Sequence, residues 1–227
     1  MRRISVSIED RVKKELSPFL SYGIVIGVNV KESDKEIIRE IREVENLVRS
    51  RFPSIDSIRE NHIIRALRDF YWRIKIDPTK QRPSSEALIR RILRGKGIPL
   101  INNVVDIGNI VSIKTLIPIG IYDLDEISGD YVILRYSRAG EVFHPIGGEP
   151  YQLSGEPCIS DSEKIIHVYP HRDSEITKVT WDTKNLLIIS CGVPGIEYKV
   201  VDDALSAVTN MINRLIGGET IVTSRVI

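Results

Sequence analysis

Between Asn102 and Asp125 the chain is nearly free of charge and sets a few polar groups among branched aliphatic residues. Asn102 and Asn103 are paired, Asp106 stands alone, Gly108-Asn109 makes a step and Pro118-Ile119-Gly120 makes a turn. Apolar surface carrying a few amides and one acid is the composition of a pocket that selects a small group. Asn102, Asn103 and Asn109 are of the type that orients an α-amino or carbonyl group, and Gly120 of the turn is counted with them. The competing use of the amides is local, in helix capping and backbone hydrogen bonds. Asp106, among apolar neighbours, requires an arginine or a set of backbone N–H groups if it is buried.

A second polar cluster, His171-Arg172-Asp173-Ser174, ends an apolar segment. Arg172 is suited to gripping a carboxylate or a terminal phosphate, with Asp173 beside it as a binding group. The alternative is an ion pair of Arg172 with Asp173 or Asp161. His167 and His171 are four residues apart, but Pro170 lies between them, so they do not share a helix face and are not expected to bind metal. No cofactor is expected. Cys158 and Cys191 have no CxxC spacing and read as two buried thiols, with a disulfide as the less favoured alternative.

The third chemical feature is charge. From Arg59 to Lys96 eleven cations face four acids, a net +7 in a chain whose total is +1. Lys80, Arg82, Arg90, Arg91, Arg94 and Lys96 surround one helical segment. Clustered flexible cations are what phosphate contacts require, without any base-reading geometry. The same residues also fit a solvated helix face. Such asymmetry points to one anionic partner docking on one side.

The elements that must position these groups follow from periodicity. Residues 21–30 read as a buried strand. Ser33-Asp34 caps a helix with Ile37, Ile38, Ile41, Val44, Leu47 and Val48 on one face, closed by Pro53. A second helix is predicted over 57–74. A third starts at Pro83-Ser84-Ser85 and ends at Gly95 and Gly97. The stretch 102–114 mixes strand-forming β-branched residues with helical spacing of Val104, Ile107 and Val111, and helix is the better reading. After it come short alternating segments between Gly and Asp turns, read as antiparallel sheet in two layers. A final helix over 202–216 and a last strand complete an α+β chain, helices mainly in the first half and at the C-terminus.

At 227 residues, with 42% hydrophobic and 28% charged residues, the chain is long enough for a real core. No apolar run approaches the roughly 18 residues of a membrane span. The N-terminus lacks the apolar core of a signal peptide, so a cytoplasmic protein is expected. Two glutamines beside abundant Ile, Arg and Glu suggest a hot-adapted source.

From Ile74 onward the order of signals resembles the B3/B4 domain of the phenylalanyl-tRNA synthetase β subunit. The carrying residues are Ser84-Ser85-Glu86-Ala87-Leu88, Gly97, Ile101 to Asp106, Asn109 and Pro118 to Asp123, continued by Arg135, Gly140-Glu141 and Asp161. The likeness is strongest over 73–190 and closest to free-standing B3/B4 proteins. It implies one domain over 1–227, with 1–72 as an N-terminal strand-helix-helix elaboration, and a three-layer β/β/α sandwich with a pocket between sheet and helix. In the synthetase this domain hydrolyses tyrosine wrongly attached to tRNA. The family places a Thr-Asn step at Gly108-Asn109, a His at Gly120 and an editing Glu within Leu187-Ile188-Ile189, so of these groups only Asn109 is kept. Glu141, retained in the pattern, becomes the candidate for positioning a water.

The resemblance implies a tRNA-directed domain that meets the acceptor end and hydrolyses a mischarged aminoacyl ester in trans, with no aminoacylation. Such an ester is activated, and a placed water with oxyanion stabilisation suffices. The alternative is a non-catalytic module that binds RNA or an amino acid. A third reading is an unrelated hydrolase or isomerase of a small amide or acid that uses Arg172 and Glu141.

Overall fold

The computed structural model describes residues 4–227; residues 1–3, at the start of the N-terminal stretch read above, lie outside the described residues. The chain runs β1 (Ser5–Ile8), α1 (Asp10–Leu16), β2 (Phe19–Ile26), α2 (Lys35–Arg51), α3 (His62–Arg73), α4 (Ser84–Leu93) and α5 (Asn103–Thr115). It continues through β3 (Ile119–Asp123), β4 (Tyr131–Tyr136), β5 (Val142–Phe143), β6 (Tyr151–Gln152), β7 (Pro157–Ser160), β8 (Ile165–Val168), β9 (Arg172–Asp173) and β10 (Asn185–Gly192). Helix α6 (Tyr198–Ile216) and β11 (Glu219–Val226) close it.

Two sheets and a helical layer stack as expected for an α+β chain of this class. One sheet has the order β1-β4-β7-β8-β9 and the other β11-β2-β10-β3, while β5 and β6 form a separate hairpin. Strand β10 is central to the second sheet, and its residues from Leu186 to Gly192 are all buried. Helix α6 lies on β10, β2 and β11, and α5 lies on β3 and α6, with α2 and α4 packed outside α5. The first sheet covers the other face: Tyr122 of β3 meets His167 of β8 ring to ring, and Tyr169 donates its hydroxyl to the Phe19 and Gly192 carbonyls.

Local sequence accounts for most element ends. The Asp34 carboxylate accepts the Glu36 and Ile37 N–H groups and starts α2. The ambiguous stretch is helical because Asn102 accepts the Val105 N–H at 2.9 Å and so satisfies one of its free donors. The helix expected over 57–74 is split. A 3₁₀ turn covers Ser57–Glu60, and the Asn61 side chain then accepts the Ile63 N–H to start α3 afresh. Strand β2 ends earlier than expected, before Gly27 at φ 72°. Strand β2 sits inside the second sheet, between β11 and β10.

Candidate functional site

Helix α5 divides its faces between packing and cavity. Val104, Ile107 and Val111 are fully or nearly fully buried in the core. Val105, Gly108, Asn109 and Ser112, one turn apart from each other, line two adjoining cavities. The smaller, about 100 Å³, is walled by Ser84 and Leu88 of α4, Asn109 and Ser112, Gly120 of β3, and His167, His171, Asp173 and Cys191. The larger, about 180 Å³, is walled by aliphatic residues of α5 and β3 together with Ile146 and Val179. Asn109, Ile119 and Asp173 belong to both.

The polar chemistry is concentrated in β8 and β9. Their antiparallel register sets His167 directly opposite Asp173. The two side chains join through His167 Nδ1 and Asp173 Oδ1 at 2.8 Å. A carboxylate only accepts, so Nδ1 carries the proton and Nε2 is the basic nitrogen. Nε2 is buried and has no hydrogen-bond partner. The Tyr122 hydroxyl is likewise buried, and burial, with Asp173 adding to it, raises its pKa well above the phenolic value. That hydroxyl occupies the space where a side chain at position 120 would stand, so Gly120 is required for the ring to lie there. Burial lowers the pKa of His171 to about 3, with His167 and Arg172 adding to the effect, and its ring packs edge-on to Tyr71. Burial also pushes the Cys191 thiol up, so it stays protonated and is no nucleophile at neutral pH. Cys158 and Cys191 are both free and buried.

Of the residues singled out in the sequence, Asn109, Gly120 and Asp173 meet in this wall. Asn103 does not. It is completely buried, accepts from the Lys31 and Val104 N–H groups and donates to the Asn29 carbonyl, so it is a structural tie. Asp106 is buried too, and it is held by the Ser33 hydroxyl at 2.6 Å and the Ile101 N–H rather than by an arginine.

Both residues considered for catalysis stand off the cavity. Glu141 is clamped by the Arg135 guanidinium at 2.6 and 2.9 Å and by the Arg138 N–H. The Arg135 hydrogen bonds hold its pKa below the usual carboxylate value, so both oxygens are committed and it is no base. Arg172 follows the alternation of β9 away from Asp173 and lies against Tyr151 and Gly148.

The cationic cluster divides as well. Lys80, Arg91, Arg94 and Lys96 are exposed, and Arg82 is partly buried. Arg90 is 5% exposed and points inward to Glu86 at 2.7 Å, a carboxylate shared with Arg68. The i, i+4 spacing that joins Arg90 to Glu86 turns it away from solvent. Sequence reasoning missed His167 as a site residue because it was weighed only as a metal partner of His171. The available signal was a lone histidine inside an apolar strand, with an aspartate six residues on, past a proline turn. Among the described residues no group of His, Cys, Asp or Glu has the geometry of a metal site. No helix is long and apolar enough to cross a membrane.

The molecule is thus a three-layer α+β domain with a polar cavity where its two sheets meet the helices. Residues 66–217 match the B3/4 domain, and the chain belongs to that family. It is 36% identical over 119 residues to the phenylalanine–tRNA ligase β subunit of Carboxydothermus hydrogenoformans, covering 52% of this chain and 15% of that subunit. It is 33% identical over 99 residues to the same subunit of Symbiobacterium thermophilum, covering 43% of this chain and 11% of the relative. The chain therefore corresponds to a small part of these relatives' length. An N-terminal fragment of the phenylalanyl-tRNA synthetase β subunit from Pyrococcus horikoshii shares the fold, with a TM-score of 0.52 at 16% identity, over 97% of this chain and 51% of that one.

Proposed function

We propose that this domain hydrolyses mischarged aminoacyl-tRNA, with His167 as the base that activates water. The reading rests on one observation: the 2.8 Å pair of His167 with Asp173, whose free Nε2 is buried in the wall that Asn109 shares. Water loses a proton to Nε2 as its oxygen attacks the ester carbonyl. Asp173 holds Nδ1–H in place and stabilises the imidazolium. The Asn109 amide donates to the developing oxyanion. Collapse breaks the acyl–oxygen bond, and the proton on His167 passes to the leaving ribose oxygen.

The exposed cations supply the docking of the nucleic acid. Helix α4 runs from the cavity lip at Ser84 and Leu88 to Arg91 and Arg94, about 15 Å of helix. A single-stranded acceptor end spans that distance while a stem phosphate meets Arg91, Arg94 and Lys96. The protein is read as cytoplasmic, with tRNA as its partner.

A second reading, a binding module without turnover, is favoured by the missing side chain at Gly120 and by the apolar, fully buried Leu187, Ile188 and Ile189. Deacylation of a panel of mischarged tRNAs decides between them. Turnover that falls by about 10²–10⁴ in His167→Gln and Asp173→Asn supports hydrolysis by this pair. No turnover of any substrate refutes it. In that event, tRNA binding lost on charge reversal at Arg91 and Arg94 supports the binder.

A further inference from the structure

We propose that the larger cavity seats an apolar amino-acid side chain, so that the site takes an α-aminoacyl group of the isoleucine, leucine or phenylalanine class. This rests on the reading of the site as an aminoacyl receptor. The cavity wall is Ile101, Val105, Gly108, Ile119, Ile121 and Val179. Its polar side chains are Asn109 and Asp173, in the wall shared with the smaller cavity, and Lys178, which is already paired with Glu175. The other lining side chains are aliphatic and offer no partner to a hydroxyl or an ammonium on the bound side chain.

Size agrees with this occupant. About 180 Å³ is roughly six times the ~30 Å³ share of one water molecule, enough for a side chain of four to seven carbons. Its depth depends on Gly108, because a Cβ there would stand 2.7 Å from the Ile121 Cδ1. Ile101 and Ile146 in its wall are 54% and 47% exposed. Large apolar residues left wet around a hollow gain by being covered with an apolar group.

The two cavities also meet in the right order. An acyl carbon at the shared wall places its α-ammonium and carbonyl against Asp173, Asn109 and His167. From that carbon the side chain enters the larger cavity, and the ester oxygen leaves towards α4.

The test is binding of stable amide analogues, an aminoacyl group on 3′-amino-3′-deoxyadenosine, to the full chain by calorimetry. Isoleucyl, leucyl and phenylalanyl analogues are expected to bind about tenfold or more tighter than the glycyl analogue. Seryl, lysyl and tyrosyl analogues gain no such advantage. Val105→Phe fills the cavity from α5 and removes the isoleucyl advantage, while glycyl binding reports that the rest of the site is intact. Tyrosyl, seryl or lysyl binding equal to isoleucyl overturns the proposal, as does equal loss of glycyl and isoleucyl binding in Val105→Phe. No binding of any analogue also overturns it. Deacylation in parallel separates the two readings. Apolar-selective binding without turnover ends the hydrolase reading alone, and turnover of tyrosyl or seryl esters with none of the apolar ones ends this proposal alone.

Discussion

Asn103→Ala and Asn109→Ala are expected to divide stability from function between two amides six residues apart. Asn103 has no solvent exposure and makes three hydrogen bonds, to Lys31 N, Val104 N and Asn29 O at 3.1, 2.9 and 2.9 Å. Alanine leaves the buried Val104 N–H unpaired, at about 1–3 kcal/mol, while the part-buried Lys31 N–H and Asn29 carbonyl cost less because water reaches them. Backbone adjustment recovers part of this, so a net loss of about 2–4 kcal/mol is expected. For a chain of this size that corresponds to a fall in Tm of roughly 4–16 °C. It is a large share of a total stability of about 5–15 kcal/mol. Asn109 is partly exposed and lines both cavities. Its alanine variant is expected to change stability by less than about 1 kcal/mol. It is also expected to lower deacylation or analogue binding by about 10–10³-fold, as for a lost oxyanion donor. Urea unfolding and turnover measured on the same preparations decide the matter. The reasoning is refuted if Asn103→Ala unfolds at the parent midpoint, or if Asn109→Ala loses stability and keeps full activity.

Other perturbations follow from the same geometry. The pKa of His171 falls from 6.5 to about 3 in the folded protein, so the unfolded chain binds a proton first as pH drops. Stability is therefore expected to decline below pH 6.5 by up to about 1.4 kcal/mol per unit, and His171→Phe should flatten that slope between pH 6.5 and 5.5 in urea titrations. Arg90→Ala removes one of the two arginines on Glu86, and because Arg68 still pairs with that carboxylate the expected cost is about 1.5–3 kcal/mol in unfolding experiments. Arg91→Glu, Arg94→Glu and Lys96→Glu leave the fold intact and weaken tRNA binding in proportion to the charges reversed, with a shallower salt dependence in filter binding. Reducing agent is expected to leave the melting temperature unchanged, because both cysteines are already free thiols.

What the sequence determined by itself was largely local and periodic. The Asp34 and Asn102 caps, the i, i+4 face of α2 and the alternation of the later strands each report on a few neighbouring residues, and they marked helices, strands and the α+β class. The run from Asn102 to Gly120 was also legible as a place where polar groups sit on apolar surface, and Asn109 and Gly120 do line the cavity. Tertiary structure decided which side of each helix that place was on. Asn103 and Asn109 are alike in type, but a helix rotates about 100° per residue, so one amide ties down the Asn29–Lys31 segment and the other meets the cavity. Arg90 and Arg91 are separated in the same way, one paired in the interior and one in water. The pairing of His167 with Asp173 needed the register of β8 with β9, and the Tyr122 ring against His167 needed the two sheets to close on each other. Those contacts join residues whose spacing carries no period, and only the packed chain brings them together.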